Sequence, residues 1–390
     1  MIRVRVSRRA VFYPAAFVGG IYAVLLIGLL GFAHNDPRDF IEIGHRYIDR
    51  SHASAAIRVD PTYRHYLPGD GYDGQFYYFI ALDPVNAPSY MDAPIYRYER
   101  ILYPLLALLL AAGQAPLIPA TMIAINWLAV TGGTLAAAAR LRAAAVSPWW
   151  AVVFGLAPGM YLALRRDLAD ALAYALVALG IYLFYRGDRA RLPWSAIVFA
   201  LAVLTRETTA VFPVILALIP LPRSRLRAGW GLSFLTISLL PFLLYRVALT
   251  IWLQGRGNIA PFEPIPFLGI LRYWPWSNRI WAEALFIVVP ALIVAALSID
   301  AIRRRQVSAM NVAVPVSVLL FVVFLGDASY VELTASARAS VGIVLAAVLA
   351  LPTLALVGRS RLWLWLAFAL WLAPLPPLIF PPLGRTLGVS

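Results

Sequence analysis

Asp73 is the residue whose setting most suggests chemistry. It stands in Gly71-Tyr72-Asp73-Gly74-Gln75-Phe76-Tyr77-Tyr78, with a glycine on each side and Asp70 three residues earlier. The glycines predict a tight turn with exposed backbone. The aromatic run after them reads as the start of an interfacial helix. A carboxylate on a turn above a lipid-facing aromatic helix is placed to take a proton from a membrane-bound substrate. Ten of the nineteen acids fall between 34 and 99: Asp36, Asp39, Glu42, Asp49, Asp60, Asp70, Asp73, Asp83, Asp92 and Glu99. All four histidines, His34, His45, His52 and His65, are there too. The plain reading of that count is a wet loop. The chemical one is that this segment holds most of the groups able to exchange a proton near neutral pH. The histidine spacings match no compact metal-ligand pattern. A divalent cation held transiently on the aspartates is the stronger metal reading, but no spacing supports it, and no cofactor is expected.

The arginines are the second set. Arg97 and Arg100 stand in Tyr96-Arg97-Tyr98-Glu99-Arg100-Ile101-Leu102-Tyr103-Pro104, at the entry to an apolar run. Arginine at a membrane surface either grips phosphate through two parallel bonds or snorkels to the headgroups. Arg206-Glu207 lies inside an apolar run. A charged pair there points to function, unless it is a helix-joining loop at the membrane edge. Arg338 opens an apolar run after a stretch with Asp327 and Glu332, and is a further candidate phosphate ligand.

The elements that must position these residues are membrane spans. The chain has 390 residues, 62% hydrophobic and 13% charged, with a mean hydropathy of +0.77. A soluble domain of this size cannot hide so much apolar surface. Apolar runs of membrane-crossing length recur from end to end, so residues 1–390 read as one membrane-embedded unit. With no cysteine, disulfides and thiol chemistry are excluded. The formal charge is +14, carried by arginines at the ends of apolar runs. That pattern fits membrane topology and anionic lipid, not nucleic acid.

A first span is expected near 11–33, retained rather than cleaved, with Arg3, Arg5, Arg8 and Arg9 on the cytoplasmic side. Further runs lie near 101–113, 117–139, 148–164, 168–185, 195–221, 229–250, 279–299, 312–326, 339–357 and 362–382. The expectation is an all-α polytopic membrane protein of about eleven spans. Its first outer loop would span 34–99. A second, 251–278, is rich in proline and aromatics and suited to the interface. Arg223, Arg225 and Arg227, then Arg303-Arg304-Arg305, then Arg359 with Arg361, mark inside loops. Strict alternation puts Arg186, Arg189 and Arg191 outside, against the positive-inside rule. Two repairs stay open: 101–113 is a re-entrant arm, or 195–221 is two short helices meeting at Arg206-Glu207.

In these features the chain resembles the GT-C superfamily of polytopic glycosyltransferases, which use lipid-phosphate-linked sugars. A first span precedes a long acidic outer loop. The loop carries Asp73-Gly74-Gln75-Phe76-Tyr77-Tyr78-Phe79-Ile80-Ala81; Arg97 to Pro104 opens the next run; Leu204-Thr205-Arg206-Glu207 follows later. The resemblance implies a GT-C-like core and an aspartate of the first outer loop as catalytic base. Asp73 matches best and Asp36, near the end of the first span, is its rival. It implies a polyprenyl-phosphate sugar donor, with Arg97, Arg100, Arg206, Glu207 and Arg338 as candidate substrate-binding residues and Asp70, Gln75 and Tyr77 beside them. The acceptor is a lipid, glycan or protein outside the bacterial cytoplasmic membrane. The rival readings are a lipid or glycan transporter, needing polar groups such as Asn126, Asp170, Arg206 and Glu207 along a path, and a non-catalytic envelope-assembly protein. No phosphate-binding glycine loop, dinucleotide fingerprint, nucleophile elbow or zinc-protease motif is present.

Overall fold

The computed structural model describes residues 8–48, 67–186, 191–219, 230–257, 262–354 and 360–380. His52, His65, Asp49, Asp60, Arg189, Arg223, Arg225, Arg227 and Arg359 lie outside the described residues. Those described are helical, with no strand beyond three isolated bridges. The elements that position the site are α1 (Phe12–Phe32), α2 (Gly74–Leu82), α3 (Leu102–Leu110), α4 (Ile118–Ala143), α5 (Pro158–Arg165), α6 (Asp170–Tyr185), α7 (Leu192–Thr205), α8 (Val211–Leu218), α9 (Trp230–Trp252), α10 (Val289–Arg303), α11 (Ala309–Val318), α12 (Leu333–Leu354) and α13 (Ser360–Leu372).

Six described helices are long and apolar enough to cross a membrane: Arg9–Phe32, Ala115–Ala143, Trp230–Trp252, Asn278–Arg303, Leu333–Leu354 and Arg361–Ile379. Helix α12 is the axis of the bundle. Its apolar stretch is 89% buried, against 28% for the first span and 17% for α9. Leu240, Leu243, Leu244 and Val247 of α9 are exposed. Such a surface is stable against lipid, because lipid tails are as apolar as leucine. Several buried polar groups tie the helices together. Tyr22 donates to the Gly155 carbonyl (2.9 Å) and the Trp127 indole to that of Gly19 (2.9 Å). Asn126 donates to Tyr103 Oη (2.7 Å) and to the Ala163 carbonyl (3.0 Å).

Two expected spans take another form. The run 101–113 yields only α3, about 14 Å long at 1.5 Å per residue. It lies antiparallel beside the start of α4, with Tyr103 donating to the Met122 carbonyl (3.2 Å) and Thr121 to that of Ala107 (3.1 Å). It is an arm returning to the end of the bundle from which α4 starts. The run 195–221 breaks into α7 and α8. Arg206 between them is extended (φ −158°, ψ 117°). Thr205 and Thr209 flank the break and bond back to the carbonyls of Leu201 and Arg206.

These two changes remove the charge conflict. Asp170 opens α6 near Arg338, while Tyr185 closes it about 22 Å away. There the Arg140 guanidinium lies 4.0 Å over the Tyr185 ring. Arg140, Arg142 and Arg186 therefore share the end opposite Arg338, whereas strict alternation would put Arg186 beside the first loop.

The first loop folds onto the bundle instead of lying beside it. Helix α2 was expected to face lipid, but Phe76, Tyr77, Phe79 and Ile80 are all buried. Phe76, Phe79 and Ile80 pack with Ile41, Ile43, Tyr47, Ile95 and Tyr98, and with Leu249 and Leu253 at the end of α9, while Tyr77 joins the main core. The aromatic face found protein partners because the arm α3 leaves room beneath it. In the segment 251–278, Trp274 is exposed and stacks edge-on with Trp276, as an interfacial aromatic belt would.

Candidate functional site

The turn that carries Asp73 is rigid. Gly71 has φ +66°, and a Cβ there would fall 2.3 Å from Gly44 N. Tyr72 N–H donates to the Glu42 carbonyl (2.9 Å). Gln75, expected beside the substrate, is a strut. Its amide donates to the Asp70 carbonyl (2.6 Å) and its oxygen accepts from Gly44 N–H (3.1 Å). A Cβ on Gly74 would lie 2.3 Å from the Arg166 carbonyl oxygen, so only glycine fits where α2 begins.

Asp73 points from this turn into a cavity of about 540 Å³, within the usual range for small-ligand sites. One wall is ionic. Arg97 Nη1 donates to Asp73 Oδ1 (2.8 Å) and Arg338 Nη1 to Oδ2 (2.9 Å). Arg97 also grips Asp92 through Nε (3.0 Å) and Nη2 (2.9 Å). Arg338 does the same to Asp170 through Nε (3.2 Å) and Nη2 (3.1 Å). Arg100 holds Glu207 through Nε (3.3 Å) and Nη2 (3.1 Å) and turns Nη1 to Tyr77 Oη (3.2 Å). Arg206 pairs with Asp170 and donates to Thr208 Oγ1 (3.1 Å). Phe262, Phe321, Leu325, Val331 and Ala339 supply its apolar wall.

Four elements, spread over more than two hundred residues of the chain, supply these charges: the first loop, the start of α6, the α7–α8 break and the start of α12. Arg338 lies within the first two turns of α12, so it points back to the same end. Burial raises the pKa of Asp73, but Arg97 and Arg338 outweigh it and hold the carboxyl well below the usual aspartate range. Asp73 is thus an anion at any working pH. While both arginines hold it, it is a weak base.

The cavity brings together Asp70, Asp73, Gln75, Arg97, Arg100, Arg206, Glu207 and Arg338. Asp70 sits at the rim, paired with the exposed Arg46 (3.0 Å). Tyr77 stands just behind, buried against Tyr103 with ring centroids 5.6 Å apart. Asp36 is elsewhere. It caps its own short turn by accepting from Arg38 N–H (2.9 Å) and pairs with the Arg38 guanidinium (2.7 Å). Among the described residues, no group of three histidines or carboxylates forms a metal-holding cluster. Sequence reasoning missed Asp92, Tyr72 and Glu332 and weighed Asp170 only as a transport residue. Asp170 had a signal, an acid within an apolar run. Asp92 had none beyond lying five residues before Arg97. Tyr72 Oη lies 3.3 Å from Thr334 and 3.4 Å from Arg338, with the Arg166 guanidinium 4.0 Å over its ring.

Comparison of the chain with protein-family models, with curated proteins and with solved structures gave no match.

Proposed function

We propose that this chain is a membrane glycosyltransferase of GT-C type that moves a sugar from a polyprenyl-phosphate donor to an acceptor outside the cytoplasm. One observation carries the reading: two guanidiniums, Arg97 and Arg338, each braced by a further carboxylate, turn Nη1 onto one aspartate that lines a cavity at the end of a membrane bundle, with Arg100 held on Glu207 beside them. Braced arginines suit a phosphate, because planar donors fixed in place lose little freedom on binding it. The apolar wall suits the first isoprene units.

The reaction is a displacement at the anomeric carbon. The bond from that carbon to the phosphate oxygen breaks, and its electron pair stays on phosphate. The acceptor oxygen attacks from the other face, inverting the centre, and its proton passes to Asp73. Arg97, Arg100 and Arg338 stabilise the charge gained by the departing phosphate. If the six long helices, the four shorter apolar ones and the broken stretch ending in α5 each cross once, the chain makes eleven passes. The arginine-rich end then faces the cytoplasm by the positive-inside rule, and the cavity opens outside. The transport reading needs polar groups along a path. Asp170, Arg206 and Glu207 instead gather at one end, and Asn126 is tied to Tyr103 and the Ala163 carbonyl.

The test uses the full chain reconstituted in liposomes with a radiolabelled polyprenyl-phosphate sugar and a membrane extract as acceptor source. Transfer is expected to fall at least a hundredfold in Asp73→Asn, in the range typical of losing a general base (~10²–10⁴), and in Arg338→Gln. Full transfer by Asp73→Asn with loss in Asp36→Asn would move the base to Asp36.

A further inference from the structure

The ionic wall is neutral as it stands. Arg97, Arg100, Arg206 and Arg338 face Asp73, Asp92, Asp170 and Glu207, four charges against four. A bound phosphate adds negative charge to a set that has none to spare, so an anion must leave its partners. The geometry says which. Asp92 and Glu207 each hold one guanidinium edge through two bonds, and Asp170 takes Nε and Nη2 of Arg338 on one oxygen and Arg206 on the other from a fully enclosed position. Asp73 takes a single bond from each of two different arginines. Its two oxygens lie on Nη1 of Arg97 and of Arg338, as two oxygens of one phosphate would. Asp170 is fully buried and does not line the cavity, whereas Asp73 lines it.

We propose that Asp73 and the donor phosphate compete for one position on Arg97 and Arg338 and that the donor displaces Asp73 from it, so that donor binding itself frees the base. This rests on the reading of the cavity as a lipid-phosphate site. The exchange balances in charge. A polyprenyl-phosphate sugar is a phosphodiester carrying one negative charge, the same as Asp73 withdraws. The turn is pinned at Gly71, Gly74 and Gln75, so Asp73 leaves by side-chain rotation with the backbone still. Released from both guanidiniums, the carboxylate is a stronger base. It becomes so only when a donor is in place, which protects the activated sugar from water. After transfer the proton is on Asp73 and the phosphate has gained one negative charge, so neither competes with the other for the arginines until product departs.

The proposal makes an unusual demand: removing the proposed base must tighten binding. The probe is farnesyl phosphate, titrated calorimetrically into the detergent-solubilised full chain. Asp73→Asn is expected to bind it about tenfold more tightly than the wild type, because a competing internal anion is gone. Asp92→Asn is expected to bind it more weakly, because Arg97 loses its brace. Equal or weaker binding by Asp73→Asn overturns the proposal while leaving the phosphate site intact. Wild-type binding that Arg338→Gln does not weaken overturns the phosphate reading itself. Should Asp73→Asn not fold, the wild type carrying isotope-labelled aspartate decides by infrared difference spectroscopy. A shifted carboxylate band on adding farnesyl phosphate supports displacement, and an unchanged spectrum overturns it.

Discussion

Asp73 and Asp170 show how one residue type takes two parts in one site. Asp170 is fully enclosed and anchors Arg206 and Arg338. Removing one partner of such a buried pair costs about 3–5 kcal/mol, because the other charge is stranded. Asp73 is on the cavity side of the same arginine and is replaceable by a ligand. Its ionisation has a clear stability signature. Its folded pKa lies below the ordinary aspartate value of 3.8. The stabilisation from its ion pairs is therefore present above that value and lost as pH falls through the lower folded value. The difference in melting temperature between wild type and Asp73→Asn is expected to be constant from about pH 5 to pH 8 and to shrink only in stronger acid. A difference that closes between about pH 7 and pH 5 would mean that the two arginines do not hold the carboxylate.

At the scale of elements, the site depends on three irregular joints. The turn before α2 aims Asp73, the arm α3 sets the height of Arg97 and Arg100, and the break between α7 and α8 turns Arg206 and Glu207 inward. Gly74 tests the first. Alanine is ordinarily favoured over glycine within a helix by about 0.5–1 kcal/mol. Here a Cβ would meet the Arg166 carbonyl at 2.3 Å, a contact with backbone that cannot rotate away. Overpacking of this kind costs about 1–3 kcal/mol, which outweighs the propensity gain. Gly74→Ala is expected to lower the melting temperature and to reduce farnesyl phosphate binding, since the turn carrying Asp73 must shift. An unchanged melting curve would show that α2 is not seated on Arg166.

The described helices form a bundle with the ionic cavity at one end and Arg140, Arg142 and Arg186 at the other. The chain contains no cysteine, so its topology is testable with single introduced thiols. Arg186 and Asp327 are expected to lie on opposite faces of the membrane, Asp327 at the cavity rim and Arg186 at the far end. A membrane-impermeant maleimide added to intact cells should label Asp327→Cys at once and Arg186→Cys only after permeabilisation. Labelling of both from one side would restore 195–221 as a single crossing helix and break the bundle's polarity. The membrane character, the first loop as the seat of the charged groups, and the candidates Asp73, Arg97, Arg100, Arg206, Glu207 and Arg338 were all legible from residue type and order. Hydropathy and charge near span ends are local properties, and a lipid solvent reads them almost directly. Three things were decided only by tertiary structure: that α2 is buried, that α3 does not cross, and that Asp170 and Asp92 brace the arginines while Asp36 turns to Arg38. Each depends on which groups meet across long separations, and an apolar run looks the same in sequence whether it faces lipid, protein or a neighbouring arm. The chain alone names the charged residues, but only the packing of helices distant in sequence determines which carboxylate an arginine holds and which one it can release.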